Sequence, residues 1–305
     1  MTQQIKTVRK YITRFKKMAF GGEPDGELLG QVSHYNESGK LISEIKYDPE
    51  TGLPEKNEYS HDDQGRLIKH VMILEHDGIS ETFEYNRDEK GRVVNELKLY
   101  GDDPGEQTVY EYLAHEHPVK IEKFDADGDA ESVETVTYNE KDLPVELLHY
   151  NNEGNLEERT VFTYNEADKP VGRTTYDAED AVLKTMTLRY NDKGELVRVT
   201  EKNAEGVVIS DVITAYDAKG NVIERKVRDF HSRTLQFHYD DNNNCIEEVM
   251  LDENGNLIMK NTFEFDDENK LISESGYYMD MNRSQEGANT MARYEYEWHE
   301  EKVSG

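Results

Sequence analysis

Cysteine is almost absent from this 305-residue chain: Cys245 stands alone, so no disulfide framework can hold it together. Cations are also scarce. Lys and Arg number 36 against 65 Asp and Glu, a formal charge of −29, which sets the chain as a whole against nucleic acid and anionic membrane. Apolar residues make up 35%, below the ~45–50% usual for globular chains, too little for a thick two-layer core. No run is long and apolar enough for a membrane-spanning helix, and no apolar stretch follows Met1 to act as a signal peptide. The sequence as written therefore reads as cytoplasmic, or as surface or secreted if a leader was removed.

What the chain does have is a repeat. Tyr35, Tyr59, Tyr85, Tyr112, Tyr138, Tyr164, Tyr190, Tyr216, Tyr239 and Phe265 follow one another at gaps of 24, 26, 27, 26, 26, 26, 26, 23 and 26 residues. A period of this size marks one supersecondary unit stacked many times. Two residues before the aromatic stand Phe83, Tyr110, Val136, Phe162, Leu188, Thr214, Phe237 and Phe263, only Thr214 being neither apolar nor aromatic, with Glu84, Glu111, Thr137, Thr163, Arg189, Ala215, His238 and Glu264 between. That alternation has period two, so each signature is a half-buried strand with its aromatics on one face.

Turn chemistry agrees. Tyr190-Asn191-Asp192-Lys193-Gly194 and Tyr216-Asp217-Ala218-Lys219-Gly220 place an Asx side chain to cap the backbone and a glycine where φ must be positive. A second turn of similar make lies between signatures, as at Asp48-Pro49-Glu50-Thr51-Gly52 and Asp252-Glu253-Asn254-Gly255. Each unit is thus a hairpin. The chain is expected to be all-β, a long single-layer antiparallel meander of about twenty strands, curled or twisted, with its tyrosines on the inner face.

Residues 1–22 break the pattern. Ile5, Val8, Ile12, Phe15 and Ala19 fall at helical spacing, six cations occupy the rest of the segment, and Gly21-Gly22 would stop a helix. This predicts a basic amphipathic helix, either a cap on the sheet edge or a docking element for a partner or a membrane surface. Three segments follow: the helix over 1–22, a hairpin array over 31–278, and an irregular loop with a terminal edge strand over 279–305. In that last strand Tyr294, Tyr296 and Trp298 share a face. Arg9, Lys10, Lys16, Lys17, Tyr294, Tyr296 and Trp298 are the candidate partner-binding residues.

Chemistry is sparse. Asp125-Ala126-Asp127-Gly128-Asp129 looks like a short calcium loop, but its glycine is fourth and it falls on a turn the repeat already demands. His115-Glu116-His117 offers two imidazoles with no third ligand at a recognisable spacing. Cys245 and the serines lack a paired base, and no glycine-rich phosphate loop exists. The expectation is a non-enzymatic protein with no cofactor, no metal and no nucleic-acid ligand.

The segments Tyr216-Asp217-Ala218-Lys219-Gly220-Asn221-Val222-Ile223 and Tyr190-Asn191-Asp192-Lys193-Gly194-Glu195-Leu196-Val197 resemble the YD repeats of the Rhs family, whose unit reads Tyr-Asp-x-x-Gly-Arg-Leu. The likeness runs over about residues 31–278; the period here is longer, and Asn, Lys or Pro stand where the family favours Gly-Arg. The resemblance implies long sheets that spiral into shells around toxin domains, or surface and secreted repeat proteins that bind. Together these readings give a protein-interaction or scaffold protein with an extended acidic sheet. The alternatives are an accessory or immunity-type protein of a toxin system, and a carbohydrate-binding protein.

Overall fold

In the computed structural model every element is a strand, and the described residues are 4–15, 24–74, 78–114, 116–278 and 288–300. The first strands are β1 (Ile5–Phe15), β2 (Pro24–Tyr35), β3 (Leu41–Tyr47), β4 (Pro54–His61), β5 (Leu67–Leu74), β6 (Ile79–Arg87), β7 (Val93–Tyr100) and β8 (Asp103–Glu111). Then come β9 (Lys120–Phe124), β10 (Ala130–Tyr138), β11 (Pro144–Asn151), β12 (Leu156–Tyr164), β13 (Pro170–Asp177), β14 (Val182–Tyr190), β15 (Leu196–Asn203) and β16 (Val208–Tyr216). Last are β17 (Val222–Arg228), β18 (Arg233–Tyr239), β19 (Cys245–Asp252), β20 (Leu257–Phe265), β21 (Leu271–Tyr278) and β22 (Ala288–Trp298). Each strand pairs antiparallel with the next in sequence, and β1 pairs with both β2 and β22. The sheet is a closed barrel of 22 strands.

This overturns two expectations. The sheet is not an open or merely curled meander, and Ile5–Phe15 is a strand, not a helix, while Ala19, Gly21 and Gly22 lie outside the described residues. Ile5, Thr7, Val8, Ile12 and Thr13 are β-branched and Tyr11 is aromatic, so the segment fits a pleated surface. An apolar pattern this short satisfies both periods. What decides between them is the sheet: its two free edges would leave rows of unpaired amides and carbonyls, and β1 satisfies both. The residue pairs Thr7–His34 to Phe15–Pro24 join it to one edge, and Ile5–Trp298 to Ile12–Ala292 to the other.

The wall is one layer thick. Each strand contacts only its sheet neighbours, with none touching a strand across the barrel. Among the described residues the buried apolar set is Val32, Val227, Met259 and Ala292 alone. The accessible surface is 19659 Å², where a compact chain of 35.4 kDa would expose about 13,000 Å². The excess is what a hollow wall with two wet faces requires. Twenty-two strands at about 4.8 Å spacing give a perimeter of roughly 105 Å, and strand tilt widens it.

Hairpins alternate between two rims. At one, the last strand residue before the turn is Tyr35, Tyr138, Tyr164, Tyr190, Tyr216, Tyr239 or Phe265. Two members of the tyrosine series shift here. Tyr59 and Tyr85 lie two residues inside their strands, and His61 and Arg87 hold the rim position, so the spacing from Tyr35 becomes 26 and 26. In these turns an Asx side chain caps the backbone: Asn139 Oδ1 accepts from the amides of Lys141 and Leu143, and Asn165 Oδ1 from those of Ala167 and Lys169. The position that needs positive φ holds glycine in most turns, but Asp142, Asp168, Asp180, Asn243 and Asn269 in five.

Five rim tyrosines turn their hydroxyls to the backbone. Tyr138, Tyr164, Tyr190, Tyr216 and Tyr239 donate to the carbonyls of Pro118, Pro144, Pro170, Leu196 and Val222, at 2.7–3.0 Å. Four of these acceptors, Pro144, Pro170, Leu196 and Val222, pair with the rim tyrosine of the preceding unit, where a β-bulge interrupts the ladder. Each tyrosine thus ties its hairpin to the one before. Arg87 performs the same task with a different chemistry, its Nη2 donating to Leu67 O at 3.0 Å. A part-buried hydrogen bond of this kind is worth about 1 kcal/mol, so Tyr164→Phe is expected to lower stability by about that much in urea denaturation. An unchanged midpoint would show that the tie carries nothing.

The residue after each bulge acceptor is apolar, and Ile42, Ile68, Ile223, Ile246 and Ile272, all 37–40% exposed, are its instances. Their exposure belongs to the repeat.

Candidate interaction surfaces

The seam that closes the barrel gathers five of the seven predicted partner-binding residues. Arg9 Nη1 donates to Glu297 at 2.8 Å, and Lys10 Nζ pairs with Glu274 at 2.6 Å. Tyr294 lies under Lys10, 5.6 Å from ammonium to ring centroid. Tyr296 donates to Leu271 O at 2.8 Å and stacks on Trp298, whose indole lies 4.1 Å beneath Lys270. The basic strand is thus matched to acids on its neighbours, and these five side chains all have partners within the chain. Lys16 and Lys17 lie outside the described residues.

Both faces of the wall carry charge in mid-strand. Lys69–Glu84 at 2.9 Å and the Arg198–Asp211 pair lie on one face. Lys98–Glu81 at 3.3 Å and Lys46–Glu44 at 2.9 Å lie on the other. Asp211 is 4% exposed and accepts from Arg198 Nε at 2.7 Å, Arg198 Nη2 at 2.9 Å and Thr200 Oγ1 at 2.9 Å. Those bonds hold its carboxyl below the usual carboxylate range, Arg198 foremost. A depressed folded-state pKa gives stability that is present above the unfolded value and lost as pH falls through the folded one. Asp211→Asn is therefore expected to be less stable than the parent at pH 7 and 5, with the gap closing below pH ~4. A gap that stays constant down to pH 3 would mean the carboxylate's charge is not what stabilises.

The most organised polar cluster was not legible in sequence, because it is assembled across strands. His70 is stacked between Tyr59 (centroids 4.7 Å apart) and Phe83 (5.6 Å). Its Nε2 lies 2.7 Å from Asn57 Oδ1, and Asn57, 4% exposed, donates to Glu55 Oε1 at 3.0 Å. Burial pushes the imidazole pKa down. With its Nε2–H committed to an amide oxygen, the ring is a packing element.

Other groups are similarly unsuited to acid–base or nucleophilic work. Burial, then Glu96, pushes the Tyr110 hydroxyl up to about 12. Burial raises the Cys245 thiol, whose Sγ sits 3.5 Å from Glu247 O. Asp125 Oδ1 accepts from the amides of Asp127 and Asp129 at 3.0 and 2.9 Å, so the calcium-like loop is an Asx turn of the repeat. His115 lies outside the described residues, while His117 stacks on Tyr138 at 6.2 Å. Among the described residues no three His, Cys, Asp or Glu are grouped to hold a metal.

No family model matches the chain, and no curated protein matches it. Among solved structures, a Photorhabdus luminescens Tc holotoxin pore is similar at 15% identity and TM-score 0.41, over 90% of this chain and 16% of the toxin chain. A TcdB2-TccC3-Cdc42 structure matches at 12% identity and TM-score 0.34, over 92% of this chain and 19% of that one. A porin-like protein from Bacteroides uniformis matches at 11% and TM-score 0.36, covering 97% and 98%. This chain thus spans under a fifth of these two toxin chains. Likenesses of this size assign it to no family, and the YD-repeat resemblance gains no confirmation from them.

The two rims differ in charge. Strictly between strands, the eight fully described turns opposite the tyrosine rim hold twelve carboxylates and neither Lys nor Arg. The turns of the tyrosine rim hold nine Lys and Arg among their acids. The tyrosine rim holds more acids, eighteen, but its nine cations offset half of them, so the rims differ in their cations, net −12 against −9, and not in their carboxylates. That asymmetry could have been read from the sequence once alternate turns were known to share a rim.

Proposed function

We propose that the protein is a non-enzymatic interaction scaffold that presents an acidic rim to a cationic macromolecule. The observation that carries this is the rim itself: eight described turns that hold twelve carboxylates and neither Lys nor Arg. Such a concentration of one sign raises the encounter rate with an oppositely charged partner and repels nucleic acid. The accessory or immunity-type reading is a narrower case, in which the basic partner is an effector. The test is biolayer interferometry of the intact protein against folded proteins sorted by isoelectric point, at 50 and 300 mM salt. Binding confined to basic partners and weakened by salt is expected. Indifference to partner charge, or turnover of a glycoside or ester panel, would overturn the proposal.

A further inference from the structure

The acidic rim is not uniformly polar. Over three consecutive hairpins, β13–β14, β15–β16 and β17–β18, it exposes large apolar side chains. Phe230, at the tip of the last, is 97% exposed. Val207, Val208 and Ile209 are 58%, 50% and 43% exposed, and Leu183 and Val182 37% and 36%. The exposed isoleucines of the other rim are accounted for by the bulge each unit carries. Val182, Leu183, Val208 and Ile209 flank the bulges of their own hairpins, but Phe230 and Val207 stand within turns, where the corresponding turn at residues 151–155 reads Asn-Asn-Glu-Gly-Asn and that at 252–256 Asp-Glu-Asn-Gly-Asn.

The patch spans the width of six strands, roughly 24 Å at about 4.8 Å per interval, and that is wide enough to receive one extended or helical segment. Lys202 faces Val208 across the ladder and Lys184 follows Leu183, but the turn tips beside the apolar side chains are acidic. Asp180 pairs with Arg159 at 2.8 Å and Asp229 with Arg233 at 3.2 Å. Glu179 and Glu205, in the first two turns, make no ion pair among the described residues. An apolar strip flanked by uncompensated carboxylates complements a segment with one apolar and one cationic face, and rejects anionic or wholly polar ones.

We infer that this strip, with Phe230 as its anchor, is the docking site for a cationic amphipathic polypeptide segment. The inference rests on the acidic-scaffold reading and deepens it by naming where the partner sits and what it must present. An aromatic that inserts into the partner supplies most of the affinity, and the surrounding carboxylates supply approach and selectivity.

The experiment measures fluorescence anisotropy with the intact protein and two labelled peptides. One alternates lysine and leucine; in the other serine replaces every leucine. Wild type is expected to bind the Lys/Leu peptide about tenfold or more tighter than the Lys/Ser peptide, and Phe230→Ser with Val208→Thr to erase that difference. Asp241→Asn with Asp267→Asn, on the opposite rim, should leave it intact. Both substituted apolar positions are solvent-exposed, and circular dichroism with a thermal melt confirms that the variants fold. Equal binding of the two peptides by wild type, or an unaffected Phe230 variant, overturns the docking site while leaving the acidic scaffold standing. Binding of neither peptide at 50 mM salt overturns both.

Discussion

Removal of residues 1–23 is expected to abolish the monomeric barrel. The reason lies in strand direction. From β2 to β22 there are 21 strands, each antiparallel to the next, so β2 and β22 run the same way. Without β1 the two edges can meet only in parallel, across a seam that neither sequence was shaped to form. β1 makes the count even. It contributes two ladders, with eight registered pairs to β2 and seven to β22. At about 0.5–1.5 kcal/mol net per hydrogen bond, their loss is comparable to the whole ~5–15 kcal/mol stability of a domain. It also strands Glu297 and Glu274 without Arg9 and Lys10. The exposed edges are 12 and 11 residues long, long enough to template aggregation. Size-exclusion chromatography with light scattering should show oligomers or precipitate, and a peptide of residues 4–15 added during refolding should restore monomer. A truncated chain that stays monomeric with an unchanged urea midpoint would sink this account of closure.

The same strand shows where sequence reasoning stopped. The hairpin repeat, its antiparallel order and its Asx turns were legible because each is written locally: an Asn or Asp, then a glycine, at a fixed distance from a rim aromatic. Closure is not local. Ile5, Val8, Ile12 and Phe15 satisfy a helical spacing as well as a strand, and only the existence of two unpaired edges far away in sequence chooses between them. The tyrosine register slipped at Tyr59 and Tyr85 for a related reason. His61 and Arg87 occupy the rim position without resembling tyrosine, although Arg87 does the tyrosine's work on Leu67 O. The candidate partner-binding set rests on cations and aromatics, and the basic segment expected as a helix is strand β1. That they lie side by side, with Arg9 on Glu297 and Lys10 over Tyr294, needed the topology. The His70 stack and the Arg198–Asp211 pair are assembled from cross-strand neighbours 11 to 13 residues apart, and single-sequence pattern gives such pairs no signature.

Gly194→Val is expected to cost about 2–3 kcal/mol, several times the effect of most surface changes. Gly194 has φ +80 and closes the β14–β15 turn, its amide donating to Asn191 O at 2.9 Å. A β-branched side chain there is strained by its own backbone. An added Cβ would also crowd Lys169 Nζ, which donates to Gly194 O and sits 5.1 Å from the Tyr190 ring centroid. The lysine can swing away, so strain is the larger part. The repeat supplies its own control: Asp142 and Asp168 hold the equivalent place at φ 62 and 58. Asx side chains tolerate this region, so Gly194→Asn should fall within about 1 kcal/mol of the parent. Glu84→Gln should be silent to within about 0.5 kcal/mol, since its pair with Lys69 is exposed on both sides. Urea denaturation of the three variants separates the causes. Equal loss from Val and Asn would place the cost in Lys169, whereas loss from Val alone places it in the backbone. Equal loss from all three would mean that neither the turn nor the face assignment governs stability, and the hairpin unit itself would have to be redrawn.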